Sequence, residues 1–310
     1  MRQAIFTLLL LSVIGLFSCR KDSIQLNIKQ YDQQQIQNYI TSNGLTGMIQ
    51  DTTGHDSTGI YYKILSPGTG KAVDYPDKIY FVFTLHSFDG KYESIDTIAN
   101  HYYNFVGHIS SGGLPLGLQL AVRNILKYPG ASMRLLIPSH LAYGKNGYGS
   151  GSSTVANNKI AGNQCLDYYV HSINVANVGV YDEQVIENYI KANSLTGYIR
   201  TADSLWYKVL TPGINTNDPI TDNTTVTATY TGQLFNATIF DQFNLSGGTP
   251  LPVSSSIPGV SEGFKNYATS GTKISLLIPS KLAYADTPPN SSIPPYSCLR
   301  FTFVISSITP

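Results

Sequence analysis

The chain repeats itself, and a fixed long-period repeat constrains a fold more than any local pattern does. Residues 31–47 read YDQQQIQNYITSNGLTG and residues 181–197 read YDEQVIENYIKANSLTG, identical at eleven of seventeen positions. The match continues downstream. IYYKIL (residues 60–65) answers LWYKVL (205–210), IPSHLAY (137–143) answers IPSKLAY (278–284), and Ile160 with Cys165-Leu166 answers Ile293 with Cys298-Leu299. The offset shrinks along the chain from 150 to 133, so the first copy carries insertions between the shared blocks. Two copies of this size are two domains rather than a solenoid of short repeats. The expected division is residues 1–18 as a signal peptide, 19–30 as a tether, 31–176 as domain 1 and 181–310 as domain 2.

Each copy opens on an amphipathic helix. Ile36, Tyr39 and Ile40 recur at helical spacing, as do Ile186, Tyr189 and Ile190. Asp32 and Asp182 stand at the start of these patterns and are read as N-caps. Strand signals follow. Val226, Ala228 and Tyr230 alternate with threonines, and Leu299, Phe301, Phe303 and Ile305 share one face of a closing strand. Only a short stretch of the second copy, residues 260–267, reads as helix. The expected class is α+β, an antiparallel sheet with a short helix in each domain.

Charge and cysteine count exclude several functions. The 310 residues sum to a net charge of +1 with 13% charged side chains, so there is no basic stripe for nucleic-acid phosphates and no charged tail. Cys165 and Cys298 fall at equivalent places, which reads as two separate buried thiols. All six histidines lie in the first copy, so histidine chemistry is not what the copies share, and no cofactor or metal site is expected. The N-terminus has a different purpose. Arg2 precedes an apolar run over residues 4–17, too short to span a bilayer but suited to a signal peptide. The run ends at Leu16-Phe17-Ser18-Cys19, which resembles a bacterial lipobox with Cys19 as the lipidated residue. An extracytoplasmic protein held to a membrane through a lipid on Cys19 is expected. Removal of Arg2 would bring the net charge to zero.

The repeated blocks resemble FKBP-type peptidyl-prolyl cis-trans isomerase domains, most closely in the second copy. The motifs YKVLTPG, TVTATYTG, TIFDQ, SIPGVSEGF, GTKISLLIPSKLAY and SSIPPYSCLRFTFVI appear there in the family's order. The leading helix lies outside that core and resembles a segment of some bacterial lipoprotein members. The resemblance implies a bent antiparallel sheet wrapping a short helix, with an apolar proline pocket between them and proline-containing polypeptides as substrates. By motif position Tyr230 and Leu251 would be pocket walls. Phe240 and Asp241 would supply the aromatic and a buried carboxylate. Ile257 would offer a backbone N–H, Tyr284 a hydroxyl, and Phe301 the base. Val260 stands where the family usually has Trp at the floor.

The first copy departs further. Tyr143 and Tyr168 match Tyr284 and Phe301, but Phe83 replaces Tyr230 and Tyr92-Glu93 replaces the Phe-Asp pair. Leu114 is placed at the floor, residues 110–113 replace SIPG, and Ile160-Ala161-Gly162 replaces IPP. Weak or absent activity is expected of this copy. Two functions follow from the whole: an extracytoplasmic prolyl isomerase acting mainly through domain 2, or a non-catalytic binding or chaperone module of the same fold.

Overall fold

The structure is a computed structural model. It describes residues 27–53, 58–150, 152, 156–214 and 219–310. The signal peptide, Cys19 and most of the tether lie outside the described residues. Among the described residues, no helix is long and apolar enough to cross a membrane.

Two seven-stranded antiparallel sheets with the same topology account for the duplication. The first half contains α1 (Ile28–Ser42), β1 (Ile49–Gln50), β2 (Tyr61–Ser66), β3 (Lys78–Ser87), β4 (Glu93–Ser94) and β5 (His101–Phe105). It continues with α2 (Leu116–Ala121), β6 (Ser132–Ile137) and β7 (Leu166–Ile173). The second half repeats the series with α3 (Val178–Ala192), β8 (Ile199–Arg200), β9 (Trp206–Thr211), β10 (Thr225–Leu234), β11 (Ile239–Phe243) and β12 (Thr249–Pro252). It ends with α4 (Pro258–Tyr267), β13 (Lys273–Ile278) and β14 (Leu299–Thr309). The strand orders, β1-β2-β6-β7-β3-β4 and β8-β9-β13-β14-β10-β11, superimpose element for element; β5 pairs with β3 as β12 pairs with β10.

Alternation along the central strands puts one face of each sheet against the short helix. In the second domain Ile274, Leu276, Ile278, Leu299, Phe301 and Phe303 face Val260 and Phe264 of α4. Gly259 allows this close approach: a Cβ there would lie 2.5 Å from Ile278 Cγ2. A Cβ on Gly117 of α2 would meet Ile137 Cγ2 at the same 2.5 Å, which makes the two glycines structurally equivalent.

The leading helices cover the opposite face, and here the capping expectation is corrected. The N-cap of α1 is Asn27, which forms a reciprocal capping box with Gln30. Asp32 and Asp182 instead lie inside their helices, 1% and 0% exposed. The Asp32 carboxylate accepts from Ser139 Oγ at 2.6 Å and from the His140 backbone N–H at 3.1 Å. The Asp182 carboxylate accepts from the Ser280 N–H at 2.9 Å and its Oγ at 2.7 Å. A buried carboxylate needs such donors, so the repeated Asp and the repeated Pro-Ser are two halves of one docking contact. The contact is duplicated further: Tyr39 stacks on Phe88 with centroids 3.8 Å apart, and Tyr189 on Phe235 at 4.1 Å. Cys165 and Cys298 are buried free thiols beneath these helices.

The halves differ on the outer face of one strand. In β10 the outward positions Thr227 and Thr229 are half-buried at most, whereas Tyr80 and Val82 of β3 are buried. Their cover comes from the second half: Val178 at the start of α3, Tyr181, and Tyr296. A strand buried on both faces reads as a continuous apolar run rather than an alternating one, and residues 79–83 read IYFVF.

Candidate active site

A pocket of about 210 Å³ opens between the sheet and the N-terminus of α4. Tyr230, Asp241, Leu251, Ile257, Val260, Tyr284 and Phe301 line it, with Pro252, Ser255, Ser256 and Phe303. Seven of the eight expected pocket residues therefore come together. Phe240 does not line the pocket; it packs edge-on behind Phe301 with centroids 5.6 Å apart.

Strand register explains how distant residues meet. On β10, Tyr230 sits opposite Phe303 of β14 and Gly232 opposite Phe301. On the other side, Gly232 sits opposite Asp241 of β11, where a bulge shifts the register. Asp241 thereby reaches Tyr230, whose Oη donates to Asp241 Oδ2 at 2.8 Å. The expected buried carboxylate is corrected: Asp241 lies at the rim and is exposed. It accepts the Tyr230 proton in a solvated position, which removes the desolvation cost of burying a charge. Burial first, then the hydrogen bond and charge of Asp241, push the Tyr230 phenol up to about 12. Burial and then the Asp241 charge also raise Tyr284. Both side chains are neutral hydroxyls at physiological pH.

The base is apolar. Phe301 and Val260 are each 5% exposed, and Phe301 stacks on Phe303 with centroids 5.4 Å apart. Gly232 leaves room for these rings, since a Cβ there would lie 2.6 Å from Phe301 Cε1 and 2.9 Å from Phe240 Cε2. Ile257 is the N-cap of α4 and its carbonyl accepts from the Val260 and Ser261 amides. Its own N–H makes no hydrogen bond among the described residues, so the rim offers one backbone donor beside an apolar floor.

Residues 217–305 match the family model of the FKBP-type peptidyl-prolyl cis-trans isomerases. The second domain resembles an FKBP-type domain over that segment. The chain is 33% identical over 117 residues to the probable FKBP-type peptidyl-prolyl cis-trans isomerase FkpA of Neisseria meningitidis serogroup B, covering 37% of this chain and 42% of that protein. It is 34% identical over 116 residues to the FKBP-type 22 kDa peptidyl-prolyl cis-trans isomerase of Escherichia coli K12, covering 36% and 54%. The chain spans about half the length of the curated relatives it matches. The crystal structure of FkpA from Escherichia coli is similar at 30% identity, covering 44% of this chain and 61% of that one, with a TM-score of 0.37.

The first domain differs from the second at this site more than the sequence suggested. Leu85 on β3 pairs with Tyr168 as Gly232 pairs with Phe301. A buried leucine therefore stands where the second domain has Gly232, whose missing side chain leaves room for the Phe301 and Phe240 rings. The residue opposite Leu85 on β4 is Ser94, so Ser94 and not Glu93 stands at the carboxylate position. Glu93 turns to His86, with Nδ1 and Oε2 3.6 Å apart. The floor assignment is corrected as well. Because Gly117 matches Gly259, the counterpart of Val260 is Leu118, fully buried, and not Leu114. Leu114-Pro115-Leu116-Gly117, not residues 110–113, is the counterpart of SIPG. Pro115, the N-cap of α2, stands at the place of Ile257 and has no N–H to offer. Insertions ahead of α2 hid this register from the sequence.

Proposed function

We propose that the second domain catalyses cis-trans isomerisation of X–Pro bonds in polypeptide clients. The observation that carries this reading is the Tyr230–Asp241 hydrogen bond at the rim of an apolar pocket floored by Val260 and Phe301. At about 210 Å³ the pocket is smaller than sites for drug-sized ligands, which take ~300–1,000 Å³. It suits a single pyrrolidine ring.

The barrier to rotation about an X–Pro amide is about 18–20 kcal/mol, and uncatalysed exchange takes tens to hundreds of seconds. Twisting the bond breaks amide resonance, so the transition state is less polar than either planar form. Phe301, Phe303, Val260 and Leu251 surround the ring with hydrocarbon, which favours the twisted state over the solvated planar one. The Ile257 N–H and the Tyr284 hydroxyl hold the peptide on either side of the rotating bond. Asp241 fixes the Tyr230 hydroxyl, and with it the wall of the pocket. No nucleophile, proton transfer or cofactor enters the scheme.

In the first domain Leu85 and Leu118 stand at the places of Gly232 and Val260, Pro115 at that of Ile257 and Ser94 at that of Asp241. These substitutions support a non-catalytic role for it. The apolar run over residues 4–17 and Cys19 support an extracytoplasmic, lipid-anchored protein whose clients fold outside the cytoplasm. A protease-coupled assay on a proline tetrapeptide, run with the full chain, tests the catalytic reading. Wild type accelerates exchange, and Asp241→Ala and Tyr230→Ala each lower kcat/KM by at least tenfold. Equal rates for all three place the chemistry elsewhere.

A further inference from the structure

One loop of the second domain is held by the first, and it is the loop that carries Tyr284. Between Tyr284 and β14 the chain folds back on itself: the Tyr296 N–H donates to the Ala285 carbonyl at 2.7 Å. The first domain has the same bond, from the Asn163 N–H to the Gly144 carbonyl at 2.8 Å. Both donors adopt the left-handed conformation, with φ of 56° at Asn163 and at Tyr296. Asparagine tolerates this region, whereas a bulky tyrosine there is a genuine outlier. Such an outlier persists only where its surroundings over-determine it.

The surroundings are supplied by the other domain. The Tyr296 ring stacks on Tyr80 with centroids 5.0 Å apart and meets Tyr103 edge-on at 5.0 Å. The neighbouring Pro295 carbonyl lies 3.1 Å from His101 Nδ1. A carbonyl can only accept, so His101 Nδ1 donates to Pro295, and Tyr80 Oη lies 3.3 Å from the same nitrogen. Tyr80, Tyr103 and His101 all belong to β3 and β5 of the first domain. Their counterparts on β10 are threonines, and β12 has no aromatic residue. The feature is therefore not a remnant of the duplicated fold; it appears only where the halves meet.

We propose that the first domain positions the pocket of the second by clamping Tyr296, which braces Ala285 and so sets the Tyr284 hydroxyl. Tyr296, Tyr80 and His101 are positioning residues for the isomerase activity, and the catalytic part of this inference rests on the reading above. Displacing a reactive group by about an ångström costs up to ~100-fold.

The test uses the full chain. Tyr296→Asn restores the residue that the first domain carries there, keeps the backbone bond accessible and removes the ring. It is expected to lower kcat/KM for a proline tetrapeptide by about fivefold or more, the size of coupling common between residues in contact. Tyr296→Phe, which keeps the ring, retains at least half the wild-type rate. In a Tyr284→Phe background, Tyr296→Asn has no further effect. Additive losses overturn the claim that Tyr296 acts through Tyr284. Hydrogen exchange tests the clamp independently of catalysis: Tyr80→Ala and Tyr296→Asn each speed exchange across residues 285–298 while β13 stays protected. Unchanged exchange in both variants overturns the clamp, even if wild type is active. An inactive wild type with the expected exchange pattern leaves the clamp standing and removes the proposed function instead.

Discussion

Replacing Gly232 by alanine should close the pocket while leaving the fold intact. Gly232 does not adopt a left-handed φ, so its lack of a side chain serves space and not backbone conformation. An alanine Cβ would stand 2.6 Å from Phe301 Cε1 and 2.9 Å from Phe240 Cε2 and Cζ. Carbon atoms pack at about 3.5–4.0 Å, so both rings must retreat by roughly an ångström. Phe301 packs against Phe303 and Phe240 and lines the pocket, so its retreat reshapes the pocket base. Overpacking of this kind costs ~1–3 kcal/mol, and relieving a strand glycine returns ~0.5–1 kcal/mol. A net loss of ~0–2 kcal/mol leaves a folded chain. The same movement misplaces the pocket base, for which a 10- to 100-fold loss of kcat/KM is expected. Urea denaturation and the protease-coupled assay, run on the same preparation, separate the two effects. A Gly232→Ala chain of lowered stability but undiminished turnover would refute the packing argument. So would one with turnover lost and its backbone amides unprotected throughout.

Further outcomes concern the helix dock and the core. Burial pushes Asp182 up to about 6, partly opposed by its bonds to Ser280. The native state then binds more protons than the unfolded chain between pH 4 and 6. The contribution of Asp182 is therefore greatest below the unfolded value of 3.8 and is lost as pH rises through 6, by roughly 2–3 kcal/mol at most. Asp182→Asn should flatten this segment of a urea-midpoint profile; an unchanged slope assigns the dependence to other groups. Ile186 is fully buried on the docked face of α3, so Ile186→Ala should cost ~2–5 kcal/mol by the same denaturation, and a loss below ~1 kcal/mol would mean that the helix is not docked. Burial raises both Cys165 and Cys298 above the ordinary thiol value. A thiol-specific reagent at pH 8 should label neither in the native chain and both in urea; rapid native labelling of Cys298 would contradict its placement beneath α3.

Much of the fold was legible because its signals were local or repeated. The duplicated blocks, the closing strand with Phe301 and Phe303, and the pocket residues Tyr230, Leu251 and Tyr284 are each marked by alternation or motif order. Asp32 and Asp182 were misread because an acidic residue at a helix start is a good cap locally, and only the distant Ser139 and Ser280 reveal their use. The first domain's floor was misplaced because insertions before Gly117 break the linear register, whereas the shared approach to Ile137 and Ile278 preserves it in space. The contact between halves did leave a trace. Residues 79–83 are apolar without alternation where Thr227 and Thr229 alternate, which is how a strand covered on both faces reads. Tyr296, at the place of Asn163, gave no local sign that its partners lay two hundred residues away in sequence.

If the second pocket catalyses proline isomerisation and the first does not, one experiment distinguishes them. Exchange spectroscopy of a proline peptide, with amide shifts of the full chain recorded in the same titration, reads both at once. Catalysed cis-trans exchange with shifts at Ile257, Val260 and Tyr284, and none at Leu116 or Leu118, is the expected result. Absent catalysis, or catalysis with the shifts confined to the first domain, would show that the second pocket is not the isomerase site.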